Sequence, residues 1–268
     1  MSSADAAYSG SIPALYDRCL GPMLFEPYAL DLAARAAALL PRQVCETAAG
    51  TGILTDALRR ALPEAKIVAT DLNQAMLHVA ASRVRSPNVS FAEADAMSLP
   101  FETSSFDLVI CQYGAMFFPD RVAGYRQARR VLKPGGYFLF NVWDSLELNP
   151  LPAAAAEALS EMFPNRPPGW LKRAPYGYHD QQRIQLELRD AGFTEISVET
   201  VAKRSRGSPR AAAEGLCLGT PLRAEIEEQA PERLKDAVAT VAAALAMLGT
   251  EHAVDLPMSA QVFAARAC

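Results

Sequence analysis

Three acidic residues follow short apolar runs at well-spaced points in the first hundred positions: Glu46 after Val44-Cys45, Asp71 at the end of KIVATD, and Asp95 at the end of FAEAD. A carboxylate at a strand end accepts hydrogen bonds from hydroxyl and amino groups and attracts cationic ones. After Glu46 the chain runs through Thr47, Ala48, Ala49, Gly50, Thr51 and Gly52. Small residues and glycine allow a ligand to lie flat on the backbone there. Asp71 stands 19 positions after Gly52, near the spacing at which an acid meets both hydroxyls of a ribose. Asp95 is placed to accept from an adenine amino group, with the Ala96 N–H donating to a ring nitrogen. The chemistry is recognition of a nucleoside without phosphates. Glu46 would repel a pyrophosphate, and Thr55 occupies the place of the third glycine in the dinucleotide pattern G-x-G-x-x-G.

These residues need strands and helices to hold them. VCE reads as the end of a buried strand, and ILTDALRRAL carries an apolar stripe of Ile53, Leu54, Ala57, Leu58, Ala61 and Leu62 at helical spacing. Strand, glycine turn and helix make the first half of a nucleotide-binding βαβ unit. KIVATDLN is a second strand, with Leu72 beside the acid. Asn73 is placed to cap the helix QAMLHVAASRV, and Met76 sits one turn in, within reach of an adenine face. NVSFAEADA is a third strand, residues 106–112 a fourth, DRVAGYRQARRVL a helix stopped by KPGG, and YFLFNVWDS a fifth strand.

The run ETAAGTG resembles the E/D-x-G-x-G-x-G motif of class I S-adenosylmethionine (SAM)-dependent methyltransferases, with Ala48 in place of the first glycine. EADAMSLPF, SSFDLVICQ and RRVLKPGGYFLFNV resemble the later motifs of the same class, in the same order. Over roughly residues 8–145 the chain is similar to the branch that includes the ubiquinone- and menaquinone-type methyltransferases (methyltransferase type 11). The resemblance implies a Rossmann-like, doubly wound α/β sheet of seven strands with the last antiparallel, SAM as cofactor, Asp95 on the adenine, and Gln112 in the CQYG segment beside the methionine part. Cofactor contacts are thus expected from Tyr16, Glu46, Ala48, Gly50, Gly52, Asp71, Leu72, Met76, Asp95, Ala96 and Gln112. The implied activity is methyl transfer to oxygen, nitrogen or an activated carbon of a small, fairly apolar acceptor. A non-catalytic module binding S-adenosylhomocysteine stays open, because methyl transfer demands no unique catalytic residue. An NAD-type oxidoreductase is opposed by Glu46 and Thr55.

Methyl transfer from a sulfonium has a good leaving group, so the protein mainly aligns the acceptor and excludes water. A base is needed only if the acceptor loses a proton, and His179 and Tyr16 are the candidates. His78 and His252 read as solvated, and no metal-ligand spacing occurs. Lys203, Arg204, Arg206 and Arg210 read as a solvated strand exit or a contact to an acidic substrate group. Phe117 and Phe118 either wall an acceptor pocket or pack a helix onto the sheet.

The chain has 268 residues, half of them apolar, and a net charge of −4. That suits one α/β domain with a large core and gives no basic face for nucleic acid. Five cysteines without a CxxC fit reduced thiols in the cytoplasm, and no apolar run is long enough to span a membrane. Within the single domain, residues 1–42 read as a lid segment and helix, irregular up to 26 with aromatics at Tyr8, Tyr16 and Phe25. Residues 43–145 form the cofactor-binding core, and 150–178 with 208–250 form helical cap insertions. HDQQRIQLELRDAGF is a helix, TEISVETVAKRS a sixth strand and VDLPMSAQVFAARA a seventh. Trp170, Tyr176 and Tyr178 lie on a Pro-rich loop of the cap; with Tyr16 the cap either closes over the sheet as the acceptor pocket or only covers apolar sheet surface or makes a dimer contact.

Overall fold

The structure is a computed structural model that describes residues 12–268; Tyr8 lies outside the described residues. Its sheet contains strands β1 (Gln43–Glu46), β2 (Lys66–Asp71), β3 (Val89–Glu93), β4 (Phe106–Gln112), β5 (Leu132–Trp143), β6 (Glu195–Gly207) and β7 (Val254–Arg266), in the order β3-β2-β1-β4-β5-β7-β6. The first five pair in parallel, with Val44 opposite both Ile67 and Leu108. Strands β1 and β4 are central, which is why their sequences are nearly unbroken apolar runs: Val44, Cys45, Leu108, Val109, Ile110 and Cys111 are wholly buried.

The last strand runs antiparallel to the others. Gly135 N donates to Ala267 O, Ala267 N to Gly136 O, and Asp144 N to Ser259 O, so β7 descends as β5 ascends. The winding reverses between β1 and β4. From β1 the chain moves outward to β2 and β3, then returns to lay β4 on the other side. Open α/β sheets bind ligands at such a switch point, beyond the carboxyl ends of the strands.

Contacts divide the chain into two compact units. One comprises Tyr28–Val142, His179–Val201 and Ala260–Cys268. It holds α3 (Ile53–Ala61), α4 (Gln74–Arg83), α5 (Arg121–Val131) and α8 (Gln181–Asp190). Its interior carries an aromatic row in which Phe138 stacks on Phe140 at 4.7 Å, Phe140 on Phe263 at 5.1 Å, and Tyr125 covers both phenylalanines of β5. The other unit comprises the described residues up to Pro27, Trp143–Tyr178 and Ala202–Ser259. It holds α6 (Pro150–Met162), α7 (Trp170–Arg173), α9 (Pro209–Leu218), α10 (Leu222–Gln229) and α11 (Leu234–Ala246), with α11 packed on α6 and α9. Trp143 stacks on Tyr176 at 5.6 Å and tilts against Phe25 within it.

Two local expectations change. Residues 12–25 are helical, a short α1 (Ile12–Leu15) followed by a π-helix from Tyr16 to Phe25 that runs into α2 (Glu26–Ala38). The Glu26 N–H donates to Gly21 O, five residues back, the wide turn that defines a π-helix. Gly21-Pro22 reads as a break by α-helical rules, yet Cys19, Leu20, Met23, Leu24 and Phe25 are buried together. KPGG, read as the stop of the preceding helix, does follow the end of α5 at Val131, and it lies inside β5. Phe106 pairs with Leu132 and Leu108 with Tyr137, so five positions of β5 oppose two of β4 and the motif forms a bulge, with Gly135 at φ +82°.

Candidate functional site

The turn between β1 and α3 is anchored on both sides. Thr47 N donates to Ile110 O of β4, and Ala49 N donates to Thr70 O of β2, both at 2.9 Å. Three residues of the turn are left-handed: Ala48 at φ +52°, Gly50 at +56° and Gly52 at +78°. Their small size serves different ends. A Cβ on Gly50 would meet no protein atom within 4 Å, so the space above it is open to a ligand. A Cβ on Gly52 would lie 2.8 Å from the Ala80 Cβ, so that glycine lets α3 and α4 approach. Ala48 has its methyl where a side chain on Gly114 would go, only 2.3 Å away. The alanine that departs from the motif is therefore housed by a glycine on the neighbouring loop.

Asp71 closes β2 and reaches back to the turn. Its Oδ2 accepts from Gly50 N and its Oδ1 from Asn73 N, both at 2.8 Å. Burial raises its pKa, while the N–H groups of Asn73, Gly50 and Leu72 work against that rise. Each carboxylate oxygen keeps a further lone pair, so two hydroxyls can still be bound. Glu46 is 1% exposed. Burial pushes its carboxyl up to about 8, with the Thr55 hydroxyl opposing and the charge of Asp71 adding to the rise. Asp95 lies two residues past β3, where its Oδ1 accepts from Met97 N at 2.8 Å. The β3 end is tied to Asp71 by Ala94 N, which donates to Asp71 O.

Other expected residues fall in several places. Asn73 caps α4 as read, accepting from Ala75 N and Met76 N, and Met76 is buried in the first turn. Leu72 is exposed, and Gln112 and Ala96 are half-buried. Ala61, placed on the apolar stripe of α3, is exposed. Tyr16 stacks on Phe25 at 4.7 Å within the π-helix. The His179 carbonyl accepts from Gln261 Nε2 of β7, three strands from β1 in the sheet order, or roughly 14 Å. His78 and His252 are exposed. Arg204 and Arg206 pair with Asp255 and Arg210 with Glu214, in keeping with a solvated strand exit. Trp170, Tyr176 and Tyr178 are all buried; Trp170 begins α7, and the two tyrosines follow it outside any helix or strand. Among the described residues no three His, Cys, Asp or Glu side chains could hold a metal, and no helix is long and apolar enough to cross a membrane.

Several residues of the site have no clear signal in the sequence. Thr70 hydroxyl donates to Glu46 O at 3.0 Å, binding the two strand ends together. The Cys111 sulfur, 0% exposed, accepts from the Thr47 hydroxyl and from the N–H groups of Gly114 and Ala115. Both residues read only as strand or turn formers, since their partners are distant in sequence.

Residues 44–136 match the family described as "Methyltransferase domain". A demethylmenaquinone methyltransferase of Deinococcus radiodurans is 39% identical over 106 residues, 39% of this chain and 44% of the relative. A ubiquinone/menaquinone biosynthesis C-methyltransferase of Idiomarina loihiensis is 28% identical over 176 residues, 59% of this chain and 69% of the relative. The chain carries a class I SAM-dependent methyltransferase domain. The match thus spans less than half the length of the first of these relatives and about two thirds of the second. The solved structure of the YcgJ protein from Bacillus subtilis shares the fold at a TM-score of 0.58 and 18% identity, covering 90% of this chain and 98% of that one.

SAM is the cofactor of this methyltransferase domain. The residues present fit it. The space over Gly50 is open. The Thr51 hydroxyl beside it is buried and has no hydrogen-bond partner, and such a group calls for one. The acidic ends of β1 and β2 match a cofactor that brings hydroxyls and cationic groups.

Proposed function

We propose that this methyltransferase acts on a small, fairly apolar acceptor, with an electron-rich ring carbon of quinol type as the first candidate among oxygen, nitrogen and carbon sites. The observation that carries the cofactor assignment is the grip of Asp71 on the Gly50 N–H, with open space above the glycine. The acceptor class is supported by the names of the two relatives, a demethylmenaquinone methyltransferase and a ubiquinone/menaquinone biosynthesis C-methyltransferase.

Bound SAM supplies a methyl group on a sulfonium, which needs in-line approach and little else. Asp71 would accept from both ribose hydroxyls and Glu46 would balance the ammonium charge. Asp95 would accept from the adenine amino group, Ala96 N–H would donate to the ring, and Gln112 would border the methionine end. Tyr16, Leu72 and Met76 are proposed as apolar contacts, and Ala48 and Gly52 as part of the cradle. A ring-carbon acceptor loses a proton, and His179 is the proposed base, with Tyr16 as the second candidate.

The test is incubation with methyl-labelled SAM and a panel of demethylated quinols, phenols and amines. Label in a quinol ring carbon is expected. Transfer to amines alone would overturn the acceptor class, and SAM binding without transfer to any acceptor would favour a non-catalytic module.

A further inference from the structure

Asn141 lies in β5 level with Gln112 of β4 and is fully buried. Its Oδ1 accepts from Tyr113 N at 3.0 Å, and its main-chain oxygen accepts from the same N–H at 3.2 Å. Its Nδ2 is buried without a partner. A leucine of similar volume would fill the position without leaving an amide unsatisfied, so the asparagine is kept at the expense of stability. Tyr113 is itself at φ +53°, a conformation that bulky residues seldom adopt. Two unfavourable features thus adjoin one shared N–H, that of Tyr113, at the carboxyl edge of the sheet. Backbone strain of this kind persists where the surroundings enforce it.

The next residue along the chain gives the strain its consequence. Gly114 is pressed against the cofactor turn so closely that a Cβ would lie 2.3 Å from the Ala48 Cβ and 2.8 Å from the Cys111 sulfur. Had Tyr113 an ordinary extended φ, the chain would leave β4 in a different direction and Gly114 would not reach Ala48. The Thr47–Cys111 contact fixes the other side of the same junction. The first turn of the site is therefore located by the β4 loop, and the β4 loop by Asn141.

We propose that Asn141 is a positioning residue of the cofactor site, holding Tyr113 left-handed so that Gly114 seats Ala48 and sets the level of the turn beneath SAM. This role rests on the placement of SAM over Gly50. It concerns affinity for the cofactor and not the identity of the acceptor.

The test is calorimetric titration of S-adenosylhomocysteine into wild type, Asn141→Leu and Asn141→Asp at pH 6, with melting curves of each. At that pH a buried carboxyl is protonated and keeps an acceptor oxygen of the same shape. Asn141→Leu is expected to melt within a few degrees of wild type yet bind roughly tenfold more weakly or worse, with Asn141→Asp restoring most of the affinity. A folded Asn141→Leu that binds within twofold of wild type, or equal losses in both variants, would overturn the proposal. Should Asn141→Leu fail to fold, Tyr113→Gly decides. Glycine needs no clamp at positive φ, so Asn141→Leu in that background should fold and lose less affinity than Asn141→Asp does in wild type; failure to fold there contradicts the proposal. Gly50→Ala separates the two layers. If it binds normally, the cofactor lies elsewhere and the placement itself is wrong; if it does not, the outcome at Asn141 stands alone.

Discussion

Thr55 donates its hydroxyl to the Glu46 carboxyl at 2.7 Å, across the turn that the two residues flank. Both side chains are buried, at 0% and 1% exposure. The residue that breaks the dinucleotide glycine pattern is thus the one that satisfies the acid ending β1. A glycine there would leave Glu46 without its side-chain donor, and a valine would add bulk without a hydroxyl. The pair makes the turn a site for a ligand without phosphates.

Glu46 gives a pH-dependent stability with a definite sign. Its pKa is about 8 in the folded chain against an ordinary value of 4.5. Below 4.5 it is protonated folded or unfolded. Between roughly 4.5 and 8 only the unfolded chain ionises, so stability falls as pH rises, and the loss is complete above 8. Glu46→Gln removes this contribution. Its melting temperature relative to wild type should therefore rise between pH 5 and pH 8.5, by an amount equivalent to at most a few kcal/mol. A difference that stays constant with pH would contradict the buried, neutral Glu46.

Ligand binding should move the same proton. At pH 7 the ligand-free carboxyl is mostly protonated, and an ammonium group placed beside it favours the ionised form. SAM binding at pH 7 is expected to release a proton, seen as a binding heat that depends on the ionisation enthalpy of the buffer. Equal heats in phosphate and Tris would count against an ammonium next to Glu46.

Asp71 has two tasks, and its variants should separate them. Asp71→Ala leaves the N–H groups of Gly50 and Asn73 without their carboxylate and removes the ribose contacts, so both melting temperature and SAM affinity should fall, affinity by roughly 1–3 kcal/mol. Asp71→Asn keeps one acceptor oxygen, so it should retain more stability than affinity. Unchanged affinity in folded Asp71→Ala would remove Asp71 from the ribose.

Much of this arrangement is legible in the sequence because it depends on neighbours. Val44-Cys45 and the apolar run from Leu108 to Cys111 announce central strands, and Asn73 announces a helix start by its side chain. The N-terminal π-helix is not legible, since its buried positions follow neither the 3.6 nor the 2.0 period and Pro22 interrupts it. Relations between distant segments are equally silent. Nothing near Gly50 says that Asp71 holds its N–H, nothing near Ala48 says that Gly114 makes room for it, and Asn141 reads only as one more residue of a strand. The aromatics at 170–178 show the same limit: the Pro-rich sequence around them does not reveal that Trp170, Tyr176 and Tyr178 are all buried.

That burial alters what Trp170 should do. At 4% exposure, Trp170→Ala removes a large interior side chain and is expected to destabilise by roughly 3–5 kcal/mol. Chemical denaturation would register this as a lowered midpoint. A midpoint equal to wild type would return the ring to the surface and to a role in binding acceptor alone.

The most direct test compares one substitution at two glycines a single residue apart. Gly50→Ala places a methyl in open space at φ +56°, with a strain of roughly 1–2 kcal/mol, whereas Gly52→Ala drives a methyl into Ala80. Melting curves and SAM titrations of the two proteins should therefore diverge. Gly50→Ala should stay folded and bind SAM at least roughly tenfold more weakly than wild type, since the added methyl takes cofactor space, while Gly52→Ala should lose far more stability. A folded Gly50→Ala protein that binds SAM with wild-type affinity would contradict the placement of the cofactor over this turn.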